Sequence, residues 1–201
     1  MITDNIWMIQ MPDNQVSQHY VKQVLPSWES HGFHVNMFDA VTPSTLHMYN
    51  DIRIDQYHGK RPYTPSEMGC WYSHYLLWEK CVEEDRPITV IEHDTECLTS
   101  EMPIIAPYFS ICQFQNDDEF HNYCDRFKGH PYWWHLKLCP ITSAYYIEPD
   151  VAEELLLECV TEVHTRYIDD IMFDKLDRDL SLITKYCRPV YDQTIGGTVG
   201  H

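Results

Sequence analysis

Apolar and polar positions alternate between extended and helical patterns through most of the chain. Residues 6–9 form a short apolar run typical of a buried strand, and helical character extends from about residue 15 to residue 30. Residues 33–38 alternate between apolar and polar side chains, as a strand with one buried face does. These three segments predict a strand, a helix and a second strand, the βαβ opening of a nucleotide-binding sheet.

The clearest helix start of the sequence is at Thr64. Thr64 is suited to the N-cap, Pro65 to the first helical position, and Glu67 follows the cap by three residues, as in a capping box. Beyond it an apolar stripe recurs at helical spacing to about residue 84, and we interpret this stripe as a core-facing surface. The stripe consists of Met68, Trp71, Tyr75, Trp78 and Val82.

An acidic triplet follows the next predicted strand. Residues 88–91 are all β-branched, and this run stops abruptly at Glu92, His93 and Asp94. Open α/β folds bind ligands at the carboxyl ends of their strands. Two carboxylates at this position, with a third at Glu96, form a hard oxygen site suited to Mg²⁺ or Mn²⁺. The alternative is an acidic turn that is simply solvated.

The remaining pattern completes an α/β domain. No repeat or linker interrupts the chain, so we predict a single domain over residues 1–201 with a mixed, mainly parallel sheet flanked by helices. The other predicted elements are an irregular loop over 42–63, extended segments over 108–114 and 142–147, helices over 149–164 and about 168–185, a short strand over 189–191 and a flexible tail over 194–200.

Composition narrows the classes of partner. The 201 residues are 44 % apolar, and 14 Lys and Arg against 31 Asp and Glu give a formal charge of −17, which disfavours extended binding to nucleic acid. The eight cysteines show no close pairs, which predicts reduced, buried thiols. The sequence shows no secretory signal and no apolar run long enough to span a membrane, so we expect a cytoplasmic protein.

Two motifs in sequence order resemble glycosyltransferase family 25. Residues 66–74 read Ser-Glu-Met-Gly-Cys-Trp-Tyr-Ser-His, similar to a Ser-Glu-Ile-Gly-Cys helix start with a Ser-His pair, and residues 92–94 read Glu-His-Asp where the family has Glu-Asp-Asp. This family includes lipopolysaccharide and lipooligosaccharide sugar transferases and the collagen galactosyltransferase domain. Further similar segments lie in the expected order at residues 6–11, 38–41, 142–147 and 168–169.

The resemblance implies a GT-A-like fold and an inverting transfer of sugar from a nucleotide-sugar donor, a UDP-sugar, with Mn²⁺ or Mg²⁺ as cofactor. It implies that Asp94 is a metal ligand and that Glu92 binds the ribose or a metal-bound water. His93 replaces the family's aspartate and adds a nitrogen ligand to the metal site. The expected acceptor is the hydroxyl of a glycan, ahead of a protein side chain or a modified base in nucleic acid.

Further site residues are assigned on the resemblance and on their surroundings in the sequence. Asp169 and Asp170 are the candidates for the general base, with Asp174 one helical turn later as a further carboxylate. Residues 132–135 are either a sugar-stacking platform or packed interior. The predicted substrate-binding residues are Glu67, Ser73, His74, Glu92, Thr142, Tyr145 and Gln193.

Several of these residues have a structural alternative. Glu67 also fits a capping box, His74 also fits a core position, and Gln193 also fits a flexible end. The first loop carries Asp13, Asn14, Gln15, Gln18 and His19 where the family has arginines, which predicts that the donor diphosphate depends on a divalent ion. The rival functions are a non-catalytic acidic interaction module with the same fold and a metal-dependent phosphohydrolase.

Overall fold

The computed structural model describes residues 5–49, 57–58, 61–104, 106–112, 143–161 and 183–190. In these ranges the strands are β1 (Ile6–Gln10), β2 (Val35–Asp39), β3 (Tyr57–His58), β4 (Arg61–Pro62), β5 (Ile88–Glu92), β6 (Thr95–Cys97), β7 (Tyr108–Cys112), β8 (Ala144–Ile147) and β9 (Ile183–Pro189). The helices are α1 (Gln15–Ser30), a short 3-10 helix (Leu46–Tyr49), α2 (Pro65–Glu83) and α3 (Pro149–Thr161).

A seven-stranded sheet has the order β2-β1-β5-β8-β7-β9-β6, and β3 and β4 form a separate antiparallel pair. Strand β1 pairs in parallel with β2 and β5, while β8 is antiparallel to both β5 and β7. Strand β9 is parallel to β7 and antiparallel to β6. Five of the seven strands therefore run in one direction, and the prediction of an α/β class with a mixed, mainly parallel sheet is confirmed.

Helices cover both faces of this sheet. Along β5, Ile88 and Val90 pack in the cluster that contains α2 and α3, whereas Ile91 packs on the opposite side with α1. This division follows from the two-residue period of a strand, which directs successive side chains to opposite faces. All three side chains are fully buried. Because both faces of β5 are covered, its carboxyl end is the part of the strand left to meet a ligand.

Strand β9 lies between β7 and the edge strand β6, and the residue that follows it contacts the acidic triplet. Strand β6 follows β5 after a two-residue turn at His93 and Asp94, and β6 pairs with β9. The Val190 amide, just beyond β9, donates to the Asp94 carbonyl at 2.6 Å. On the other side of β6, the Trp28 indole of α1 donates to the Thr95 carbonyl at 2.8 Å. The turn is thus held between α1 and the end of β9.

Most predicted elements within the described ranges are confirmed, with three corrections. The bounds of α1 agree with the sequence pattern, and α2 begins with the predicted capping box at Thr64. The predicted helix ending near residue 185 is wrong at its end, because β9 begins at Ile183. The last strand, predicted over 189–191, covers Ile183–Pro189 instead and overlaps the prediction only at Pro189. Strand β6 was not predicted, and the predicted loop over 42–63 contains a 3-10 helix and two short strands.

Two side-chain features bear on the predicted class of protein. Among the described cysteines, none forms a disulfide, which agrees with the prediction of reduced thiols. The cysteines concerned are Cys70, Cys81, Cys97, Cys159 and Cys187. None of the described helices combines the length and apolar character that crossing a bilayer requires.

Candidate functional site

A pocket lies where the carboxyl ends of β1 and β5 meet the segment after β2 and the first turns of α2. Its space is about 610 Å³ when its open mouth is included. Among the described residues that line it, none is lysine or arginine. The lining residues are Ile9, Gln10, Met11, Ala40, Val41, Thr42, Pro43, Ser66, Cys70, Ser73, His74, Glu92 and His93.

Gly69 lets helix α2 lie directly against the segment after β2. A Cβ atom at Gly69 would collide with the carbonyl oxygen of Val41, so only glycine permits this close approach. One turn later, the buried Ser73 hydroxyl donates to the Gly69 carbonyl at 2.7 Å and accepts from the Val41 amide at 2.9 Å. Ser73 lines the pocket, and these two bonds also fix the pocket's wall.

The start of α2 is fixed by its capping box. The Thr64 hydroxyl accepts from the Glu67 amide at 3.2 Å, and the Glu67 carboxylate accepts from the Thr64 amide at 2.7 Å. The same carboxylate oxygen accepts from the Thr64 hydroxyl at 3.0 Å. Glu67 therefore has the structural role that was the alternative to ligand binding, and it helps to position the helix that carries Cys70, Ser73 and His74.

Asp94 has a buried carboxylate oxygen with unmet bonding capacity. Its Oδ1 is buried and has no hydrogen-bond partner among the described residues. Burial, together with the negative charge of Glu92, raises the pKa of Asp94 to about 7. A buried carboxylate without a donor is costly unless a cation or a proton neutralises it. The residue thus fits a ligand of a divalent ion.

His93, the central residue of the acidic triplet, is buried and lines the pocket. Its ring lies 6.0 Å from the ring of Tyr20 on α1, measured between centroids. Burial lowers the pKa of His93 below its ordinary value, against the opposing effect of Glu92. A neutral imidazole is the form that binds metals, so the departure from the family's aspartate is compatible with a metal site.

His74 and Glu92 are neighbours in the lining of the pocket. Its Nε2 atom is 3.8 Å from Oε1 of Glu92 and has no hydrogen-bond partner in the described part of the chain. Its Nδ1 atom is 3.0 Å from the hydroxyl of Tyr145, and the indole of Trp78 donates to the same hydroxyl at 2.9 Å. Tyr145 is fully buried, and burial raises its pKa well above the ordinary value. Tyr145 therefore lies behind His74 and orients its ring.

Glu96, the third carboxylate of the predicted oxygen site, has a different partner. It forms an ion pair with Arg188 on β9, opposite it in the β6–β9 register. Of the three carboxylates in the predicted oxygen site, Glu92 and Asp94 therefore remain as candidate metal ligands. Four predicted site residues lie outside the described residues: Thr142, Asp169, Asp170 and Gln193. The aromatic run at 132–135 also lies outside them.

Cys70 is a site residue that the sequence reasoning did not single out. It lines the pocket one helical turn before His74, and its Sγ lies within 4.8 Å of the ligand atoms of both His74 and Glu92. The sequence signal was the spacing of four between a cysteine and a histidine, which places both side chains on the same face of a helix. The approach of Glu92 depends on tertiary structure, and no local pattern indicates it.

Comparison with known proteins identifies the family. The model of glycosyltransferase family 25, described as an LPS biosynthesis protein family, matches residues 4–105, which include the pocket-lining residues and the acidic triplet. Similar proteins are procollagen galactosyltransferases 1-A and 1-B of Xenopus laevis, 29 % and 27 % identical over 104 and 103 residues. Each alignment covers 47 % of this chain and 16 % of the relative, so the chain spans a small part of the relatives' length. The chain belongs to glycosyltransferase family 25.

Proposed function

We propose that this chain is a metal-dependent, inverting glycosyltransferase with a GT-A-like fold. In this proposal it moves a sugar from a UDP-sugar to the hydroxyl of a glycan. The observation that carries the proposal is the buried Oδ1 of Asp94, which has no hydrogen-bond partner among the described residues and directly follows Glu92 and His93, both of which line the pocket. Family membership supports the class of reaction.

Asp94, Glu92 and His93 are the proposed holders of Mn²⁺ or Mg²⁺. Two carboxylates suit these hard cations, and the neutral imidazole of His93 shifts the preference toward Mn²⁺. When bound, the ion acts as a Lewis acid that stabilises the charge developing on the leaving diphosphate. Asp94 must lose its proton before it can contribute a negative oxygen, and its raised pKa makes this step depend on pH near neutrality.

The pocket is proposed as the donor site. Without lysine or arginine among its described lining residues, it offers hydroxyl, imidazole and carboxylate groups, which recognise sugar hydroxyls better than phosphates. Glu92 is the proposed acceptor of a hydrogen bond from a ribose hydroxyl or from a metal-bound water. The Ser66 hydroxyl and the His74 ring supply further polar contacts. This composition supports the view that the donor diphosphate depends on the ion.

The acceptor hydroxyl needs a base, because its oxygen becomes a strong nucleophile only as it loses its proton. Asp169 and Asp170 remain the proposed candidates for this role, on the resemblance alone. In an inverting transfer the base works on the face of the sugar opposite the leaving diphosphate, so it belongs to a different part of the site from Asp94.

The test is thermal unfolding with a panel of nucleotide sugars, each with and without Mn²⁺. A donor at 100 times its Kd should add about 2.7 kcal/mol to the free energy of unfolding. We expect stabilisation by a UDP-sugar that requires Mn²⁺, together with slow Mn²⁺-dependent hydrolysis of that donor. If no nucleotide sugar raises the unfolding temperature in the presence of Mn²⁺, the proposal is wrong.

A matched pair of variants locates the effect. Asp94→Asn should abolish both the Mn²⁺-dependent stabilisation and the hydrolysis. Glu96→Gln removes the same amount of charge two residues away, but it alters an ion pair with Arg188 outside the pocket, so both signals should persist. Equal loss in the two variants would indicate a general effect of charge and would contradict the assignment of Asp94.

A further inference from the structure

We propose that Cys70, His74 and Glu92 form a site for Zn²⁺ that shares Glu92 with the acidic triplet and opens into the same pocket. The three side chains come from two elements: Cys70 and His74 lie one turn apart on α2, and Glu92 is the last residue of β5. The site does not depend on the proposed sugar transfer, because its ligand set and its geometry belong to the polypeptide alone.

The distances suit a tetrahedral ion after small side-chain movements. One ligand atom from each residue lies within 4.8 Å of the other two, and the pair formed by Nε2 of His74 and Oε1 of Glu92 is 3.8 Å apart. Around a tetrahedral zinc ion, bonds of about 2.0–2.3 Å place neighbouring ligand atoms roughly 3.3–3.8 Å apart. The His–Glu pair is within about 0.5 Å of the spacing that nitrogen and oxygen ligands need, and Cys70 must approach by up to about 1.5 Å, within reach of a side-chain rotation.

The buried Nε2 atom of His74 is an independent sign of a ligand. It has no hydrogen-bond partner among the described residues, although the His74 side chain is almost completely buried. The ring is fixed from behind, because Nδ1 is 3.0 Å from the Tyr145 hydroxyl. A metal-binding histidine characteristically uses one nitrogen for the ion and the other for such an orienting partner. With an ion on Nε2, the ring proton is on Nδ1 and is donated to the Tyr145 oxygen.

The ligand chemistry selects the class of ion. A thiolate, an imidazole and a carboxylate together suit borderline cations such as Zn²⁺ and Co²⁺, whereas Mg²⁺ and Mn²⁺ prefer oxygen ligands. Three protein ligands leave the fourth position of the ion open, and all three residues line the pocket. That position is therefore available to water or to an oxygen atom of a molecule in the pocket. Because Glu92 is common to both proposed metal sites, Zn²⁺ bound here competes for Glu92 with an ion at the acidic triplet.

Cobalt substitution tests the site directly in the full chain, with no nucleotide sugar present. We expect Co²⁺ to give a near-ultraviolet thiolate-to-cobalt charge-transfer band that Zn²⁺ abolishes at one equivalent. In Cys70→Ser the band should disappear and the affinity for Zn²⁺, measured by competition with a chromophoric chelator, should fall at least about tenfold. Absence of the band in the wild type, or its persistence in Cys70→Ser, would overturn the proposal.

Three further variants make the test specific. Cys159→Ala removes a buried thiol of α3 and should keep the band and the Zn²⁺ affinity. Glu92→Gln should weaken Zn²⁺ binding while the thiolate band persists at saturating Co²⁺, and this result decides the matter if Cys70→Ser proves to be unfolded by circular dichroism. Asp94→Asn should leave Zn²⁺ binding unchanged, so failure of the zinc site and failure of the donor proposal give different results.

Discussion

At the scale of single residues, burial changes the pKa of Asp94 and thereby the dependence of stability on pH. Its folded-state pKa is raised from 3.8 to about 7, so the folded protein holds this proton more tightly than the unfolded chain does. The contribution of this proton to the free energy of unfolding is fully present below about pH 4 and is lost as the pH rises through about 7. Above pH 7 the metal-free protein contains a buried negative charge beside Glu92, which destabilises the folded state.

This sign gives a prediction for the metal-free protein. At pH 8, without divalent ions, Asp94→Asn should be more stable than the wild type by at least about 1 kcal/mol, because the substitution removes a buried charge. At pH 5 the difference should shrink, since Asp94 is then protonated in the folded wild type. Urea unfolding at the two pH values measures both quantities, and Mn²⁺ at pH 8 should reverse the order. A variant less stable than the wild type at pH 8 without metal would contradict this account.

The same scale shows what the sequence could not reveal about the site. The triplet of Glu92, His93 and Asp94 is contiguous, so its place at the end of a strand could be recognised in the sequence. The bond between Tyr145 and His74 joins residues 71 positions apart, and it exists only because β8 pairs with β5 behind α2. Tyr145 was predicted to bind substrate on the resemblance, whereas its hydroxyl lies in a fully buried contact.

At the scale of elements, local signals predicted some boundaries and tertiary pairing set others. Helix α2 has a capping box and Pro65 at its start, which act within one turn and can be recognised in any context. Strand β6 is three residues long, and the sequence of β9 contains no strong apolar run. Both exist because they pair with each other and β9 pairs with β7, so their stability comes from contacts between distant segments.

Gly69 offers a test of how α2 is positioned. In an isolated helix, Gly69→Ala should be favourable by roughly 1 kcal/mol, because alanine has the higher helix propensity. In this protein we expect the opposite sign, with a loss of about 1–3 kcal/mol, since the new Cβ collides with the Val41 carbonyl and the segment after β2 must move. Chemical denaturation measures the loss.

The control for this element is Glu83→Ala, an exposed substitution at the carboxyl end of the same helix. It should change the free energy of unfolding by less than about 0.5 kcal/mol. Because Val41 and Thr42 line the pocket, Gly69→Ala should also weaken any ligand that the pocket binds, whereas Glu83→Ala should not. A stabilising effect of Gly69→Ala would show that α2 and the Val41 segment are not in close contact.

At the scale of the whole molecule, the net negative charge and the buried thiols both lower the stability of the fold as the pH rises into the alkaline range. The formal charge of −17 already disfavours compactness through self-repulsion, and each thiol that ionises adds to it. Burial raises the pKa of Cys81 and of Cys159 to about 12 and that of Cys97 to about 11, from 9.0. These thiols come from α2, β6 and α3, so both sides of the sheet are involved.

The raised thiol pKa values predict a loss of stability in alkali. Each thiol's contribution is fully present below about pH 9 and is lost as the pH rises toward 11–12, because the unfolded chain releases the proton first. Between pH 9 and pH 10 the expected loss is about 1 kcal/mol for each thiol. Cys159→Ala should therefore flatten the fall in unfolding free energy over that interval by about the contribution of one group, whatever the general effect of charge. An unchanged slope in this variant would mean that Cys159 is accessible to solvent, and would contradict the close packing of α3 against α2 on which one side of the core depends.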